Sequence, residues 1–177
     1  MEEHKLIAFF SDDALWTRIK SQCAWLMMSE ARLCNRLSES EQLTEARGWP
    51  RDWAIGCEHH WNHVTAVLGR VHRTMVKIES SITLLLLDRA FNLLIDLVHH
   101  QERLRFAISG LQEQAAHLSE TSGKAYNHLI KLILEHQSEI EVPIQILCRE
   151  VVEGRKSFNP EVLCRNHFPK RLTSDMA

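Results

Sequence analysis

The stretch from Trp53 to Ile108 contains almost nothing that would stop a helix, and this feature constrains the fold more than any other. The whole 177-residue chain holds six Gly and four Pro, and such sparse punctuation favours long helices over many short strands. A single Tyr and the scarcity of β-branched runs also argue against a sheet. The sequence therefore predicts an all-α protein.

Apolar residues recur at steps of three and four along most of the chain, which is the pattern of amphipathic helices packed side by side. We predict a single domain over residues 1–177, built as a bundle of four main helices with one or two short C-terminal helices. The expected segments are a lead-in at 1–10, main helices at 11–37, 50–79, 82–118 and 122–153, a short helix at 160–166, and a mobile tail at 168–177.

The long central stretch must be divided somewhere. An unbroken helix from Pro50 to His117 would run roughly 100 Å, far beyond the usual length in globular domains. We expect a tight reversal at Ser80-Ser81, because the pattern turns polar there and serine can cap a new helix. The alternative is one continuous rod over residues 50–118.

Composition excludes several classes of protein. The formal net charge of −2 disfavours a dedicated nucleic-acid binder. Five Cys without pairing motifs predict free thiols in a reducing, cytoplasmic compartment. The acidic Glu2-Glu3 start does not fit a signal peptide. The most apolar window, Ile82 to Val98, is interrupted by charges, so we expect no membrane span.

Two histidine clusters offer a metal hypothesis that depends on the reversal. With a turn at Ser80-Ser81, His59 and His63 would share a level of the bundle with His99 and His100. Two His from one helix and one from its neighbour could hold a transition metal such as zinc. The alternative is that these are surface or core-edge histidines that bind nothing, since a chain with eleven His will show some clustering.

No nucleophile elbow, P-loop or Gly-rich phosphate cradle occurs, so we expect a non-enzymatic protein. The segment His128-Leu129-Ile130-Lys131 resembles the phosphoacceptor helix of histidine phosphotransfer bundles. Leu132, however, stands where those bundles usually carry a small Gly. Phosphotransfer is accordingly the third hypothesis.

The leading hypothesis is a cytoplasmic protein–protein interaction module: a regulator, an adaptor, a secretion chaperone or a helical subunit of a larger assembly. The first and third helices have wide apolar faces, and five Trp occur in a small chain. Trp and Met on such faces suit partner surfaces, although core packing explains them equally well. Trp16, Trp25 and Met28 are the candidate partner-binding residues, and they could serve a homodimer. This hypothesis requires no cofactor, whereas zinc belongs to the metal-binding alternative.

Overall fold

The computed structural model describes residues 13–46, 57–118 and 120–157, and within these ranges the chain is a bundle of four α-helices. The helices are α1 (Asp13–Ala46), α2 (Glu58–Thr83), α3 (Leu87–Ala115) and α4 (Glu120–Ser157). The predicted all-α bundle is confirmed. The expected lead-in, the start of the second helix near residue 50, the short helix at 160–166 and the tail lie outside the described residues.

Each helix packs against its neighbours in chain order, and α4 closes the ring by packing against α1. The first helix continues nine residues beyond its expected end at residue 37, through a polar segment. The indole Nε1 of Trp61 donates a hydrogen bond to Glu41 Oε1 at 3.0 Å, which ties this extension to α2. The last helix contains Pro143 within its length.

The core consists of two apolar clusters, one in each half of the bundle. Because neighbouring helices are antiparallel, the first half of α1 packs with the second half of α2, the first half of α3 and the second half of α4. Representative members of this cluster are Ile19, Met75, Leu94 and Leu147. The opposite halves of the helices form the other cluster.

The reversal between α2 and α3 lies at Leu84–Leu86 rather than at Ser80-Ser81. The hydroxyl of Ser81 donates to the carbonyl of Lys77 at 2.7 Å, so it bonds to its own helix instead of capping a new one. The expected hairpin is therefore present, but its turn comes about four residues later than the serines suggested.

A left-handed leucine makes this turn. The N–H of Leu86 donates to the carbonyl of Ser81 at 2.8 Å, and the N–H of Leu85 donates to that of Ile82 at 3.0 Å. Leu85 has a φ of 58°. These are the bonds and the backbone of a Schellman motif, which usually carries Gly at the left-handed position. Because this position holds leucine instead of glycine, the sequence carries no signal that α2 ends here.

Among the described helices, none is both long enough and apolar enough to cross a bilayer.

Candidate functional site

A polar layer separates the two apolar clusters at the middle of the bundle. In three helices, two consecutive buried apolar residues are seven positions apart instead of three or four. The steps run from Leu26 to Leu33 in α1, from Leu97 to Leu104 in α3, and from Ile133 to Ile140 in α4. The core-facing positions within these steps hold Ser29 and Glu30, His100 and Gln101, and His136 and Gln137.

The centre of this layer is a buried network between α1 and α4. His136 Nε2 lies 3.0 Å from Glu30 Oε2, and His136 Nδ1 lies 3.2 Å from Ser29 Oγ. Glu30 is 1% exposed and Ser29 is 2% exposed. An ionised carboxylate can only accept, so His136 Nε2 carries the proton in this pair. The hydrogen bond between His136 Nδ1 and Ser29 Oγ can run in either direction, because a ring nitrogen and a hydroxyl can each donate or accept.

The same three residue types form catalytic triads on other folds. A nucleophile must be reached by its substrate, however, and the Ser29 side chain is enclosed between packed helices. The arrangement fits a network that fixes the Glu30 carboxylate better than it fits an active site.

In the described part of the chain, only one of the two carboxylate oxygens of Glu30 has a hydrogen-bond partner. Its Oε2 pairs with His136, but among the described residues its Oε1 has no hydrogen-bond partner. Buried polar atoms are nearly always partnered, and each exception calls for an explanation. Because Glu30 is almost completely buried, a missing partner for this oxygen is costly.

Two further metal-ligating side chains lie beside this carboxylate. Glu30, Cys34 and His72 each offer one ligand atom, and these atoms all lie within 4.8 Å of one another. Glu30 and Cys34 are one helical turn apart on α1, and His72 faces them from α2. Cys34 and His72 are exposed. Partial desolvation of the thiol by the atoms packed around it, and next the negative charge of Glu30, raise the pKa of Cys34.

The expected histidine cluster is spread along the bundle. A Cβ added at Gly110 would lie 3.3 Å from His60 Nδ1, so that end of α2 faces Gly110. Burial, then the positive charges of Arg103 and Arg70, lower the pKa of His100. Arg70 and Arg103 line the same groove, and His100 lies about one turn before Arg103 on α3. His60 and Arg70 are ten residues apart, which corresponds to about 15 Å along a helix.

The later turn explains this displacement, because it shifts every facing pair between α2 and α3. His63 shares a groove with Glu102 and Phe106, and His99 Nδ1 lies 3.8 Å from the Glu102 carboxylate. Within the described ranges, His59, His63, His99 and His100 are not part of a three-residue group at ligating distance. The structure therefore does not bring the four together as one ligand set.

The expected partner face is also divided. Trp25 and Met28 are exposed and lie one turn apart on α1. Trp16 is half-buried against the core, with the Lys20 ammonium 5.6 Å from its ring centroid. Residues 16 and 25 differ by nine positions, which places them on roughly opposite sides of a helix. The structure groups Trp25 with Met28 but not with Trp16.

The residues of the phosphotransfer hypothesis lie on the outer side of α4. His128 and Lys131 are exposed, and Leu132 is buried. The Lys131 ammonium lies 3.8 Å from the Glu135 carboxylate. Phosphotransfer through His128 stays a prediction.

Comparison with protein-family models, with curated proteins and with solved structures finds no match to this chain. Sequence reasoning missed the polar layer, although its signal was present in the seven-residue gaps of three helices. It also missed Glu30, Cys34 and His72, because only the pairing of α1 with α2 brings His72 to the other two.

Proposed function

We propose that the protein is a non-enzymatic protein–protein interaction module that docks through Leu84, Leu85 and Leu86, here called the leucine turn. The observation that carries this proposal is the exposure of three consecutive leucines, at 66%, 48% and 44%, with the middle one in the left-handed region. Single apolar residues scattered over a surface are normal. A contiguous exposed leucine triplet at a helix reversal is a stronger signal.

The turn is not optimised for the stability of the isolated chain. A left-handed conformation costs a non-glycine residue about 1–2 kcal/mol, and Gly at position 85 would avoid that cost. Departures from local sequence rules are expected where function requires them. Leucine at this position adds apolar surface that a partner could cover.

The surface of the leucine turn is large enough to anchor a partner. Completing the burial of the three side chains would contribute roughly 2–5 kcal/mol, given about 1.5–3 kcal/mol for a fully buried leucine. That is the size of an interface hot spot. The partner should therefore offer an apolar pocket that receives the end of the α2–α3 hairpin.

The proposed setting is the cytoplasm. Cys23, Cys34, Cys57 and Cys148 are free thiols, as expected in a reducing compartment. A regulator, an adaptor, a secretion chaperone and a subunit of a larger assembly all fit this proposal, and the identity of the partner would distinguish them.

The test compares two double variants in quantitative affinity capture from the native source. Leu84→Ser with Leu86→Ser removes apolar surface from the leucine turn, and Leu134→Ser with Val142→Ser removes exposed apolar surface from α4. The turn variant should capture at least tenfold less of a partner that the wild type and the α4 variant both capture. Equal retention by both variants, each folded by circular dichroism, would refute docking through the leucine turn.

Self-association is a second candidate, supported by the exposure of Trp25 and Met28 on the outer side of α1. Trp residues at such positions are common interface anchors. Light scattering should then show a dimer that Trp25→Ser with Met28→Ser converts to a monomer. A wild-type monomer at high concentration would eliminate the homodimer.

A further inference from the structure

We propose that Glu30, Cys34 and His72 form a zinc site between α1 and α2, here called the α1–α2 site. The proposal does not depend on the leucine turn. His72 precedes Leu84 by 12 residues, which is roughly 18 Å along α2.

The geometry needs only small side-chain adjustments. The three ligand atoms lie within 4.8 Å of one another. Tetrahedral zinc with bonds of about 2.0–2.3 Å would place its ligand atoms roughly 3.3–3.8 Å apart. Cys34 and His72 are exposed on helix surfaces, so rotation about their side-chain torsions can close this gap. Glu30 is held in place by its hydrogen bond with His136.

The unpaired Glu30 Oε1 is the second observation that supports a ligand. One carboxylate oxygen is fixed by His136, which in turn contacts Ser29, while the other oxygen has no partner among the described residues. Metal-ligating carboxylates are usually oriented by such hydrogen bonds on the side away from the metal. A cation would satisfy the remaining oxygen and offset its burial.

The donor set favours zinc over the alkaline-earth cations. A thiolate, an imidazole and a carboxylate suit zinc, whereas calcium and magnesium prefer oxygen ligands alone. A divalent cation also removes the repulsion between the Glu30 carboxylate and a Cys34 thiolate. Because Cys34 and His72 face solvent, the fourth tetrahedral position is open to water, as in zinc sites with three protein ligands.

The test uses the full-length chain without a histidine tag, stripped of metal and kept reduced. Zinc affinity is measured by competition with a chromophoric chelator, and Co²⁺ substitution reports coordination through its d–d and thiolate charge-transfer bands. The wild type should bind one zinc per chain and show a tetrahedral Co²⁺ spectrum with a thiolate band. Zinc should also raise its melting temperature.

Matched variants assign the ligands. Cys34→Ser and His72→Gln should each weaken zinc affinity by at least about 10–100-fold, which is the loss that follows removal of a residue that only hydrogen-bonds to a metal ligand. Cys34→Ser should also remove the thiolate band. The controls Cys148→Ser and His63→Gln each remove one thiol or imidazole elsewhere, and they should leave affinity unchanged.

Three results would overturn the proposal. The first is a wild type that binds no zinc in competition with the chelator. The second is unchanged affinity in Cys34→Ser and His72→Gln. The third is a loss of affinity in His63→Gln that equals the loss in His72→Gln, which would assign the metal to the other histidines. Cys34 and His72, the two ligand residues that are replaced, are exposed. Circular dichroism of the variants separates loss of zinc binding from loss of folding.

Discussion

Replacing both members of the Glu30–His136 pair by leucine should cost far less stability than replacing either one alone. The two side chains are joined at 3.0 Å and lie between apolar clusters in the middle of the bundle. His136→Leu would leave a carboxylate that is 1% exposed without its hydrogen bond. Among the described residues, the other carboxylate oxygen already lacks a hydrogen-bond partner, so neither oxygen would have one there.

The expected magnitudes follow from this geometry. Breaking a buried charged pair by removing one partner costs about 3–5 kcal/mol, which we expect for His136→Leu. Glu30→Leu leaves one ring nitrogen without a partner and should cost about 1–3 kcal/mol. The double replacement joins the two apolar clusters and should be close to neutral, because hydrophobic replacement of a buried ion pair is often neutral or stabilising by about 1–4 kcal/mol.

The assay is urea and thermal unfolding followed by far-ultraviolet circular dichroism, in a chelating buffer that keeps metal away from Glu30. For a chain of this length, about 1 kcal/mol corresponds to about 2–4 °C, so His136→Leu should melt roughly 6–20 °C below the wild type. Glu30→Gln, which keeps the shape and an acceptor oxygen, is the control and should lose less than Glu30→Leu. A double variant whose loss equals the sum of the two single losses, within about 0.5 kcal/mol, would refute the reasoning.

Three further predictions test the turn, the helix register and the buried thiols. In thermal melts, Leu85→Gly should be more stable than Leu85→Ala by about 0.5–1 kcal/mol, because alanine keeps the left-handed strain that glycine avoids. The opposite order of stability would mean that φ at Leu85 is not positive in solution. Gly110→Ala should stabilise the protein by less than the usual amount of about 1 kcal/mol for Gly→Ala in a helix, because the added Cβ would lie 3.3 Å from His60 Nδ1. The full stabilisation should appear when His60 is also replaced by Ala. Equal stabilisation with and without His60→Ala would contradict the pairing of His60 with Gly110. Burial, and to a lesser degree the charge of Glu79, raise the pKa of Cys23 from 9.0 to about 11. The native state therefore holds this proton more tightly than the unfolded chain, and stability should fall as pH rises from 9 toward 11. Cys23→Ala should decline less steeply than the wild type in urea melts over that range, and parallel curves would contradict this assignment.

Local patterns predicted the helices well because helix formation depends mainly on neighbours three and four residues away. The periodic apolar positions Leu15, Ile19, Cys23 and Leu26 are all buried on α1, as their spacing indicates. The same reasoning failed at the reversal. Serine is a plausible cap, whereas the residue that ends α2 is a leucine in a conformation that usually marks glycine.

The position of the turn changes the facing pairs from which the metal hypothesis was drawn, because a shift of the turn by a few residues shifts every pair between the two helices. His59 and His63 were expected opposite His99 and His100, but His60 faces Gly110 instead. In contrast, the pair Glu30 and Cys34 could have been noticed as a helical i, i+4 pair. Its third member, His72, is 38 residues beyond Cys34 and carries no local signal.

The amino-acid sequence by itself determined that this chain forms helices with continuous apolar faces, since that information repeats within every helical turn. It also carried, in three seven-residue gaps, the polar side chains that interrupt the core. Only the tertiary structure decided which of those side chains meet. The pairing of Glu30 with His136, and the approach of Cys34 and His72 to the same carboxylate, depend on how far each helix slides along its neighbour. That distance is set by the turns and by packing between distant residues, and no local pattern encodes it.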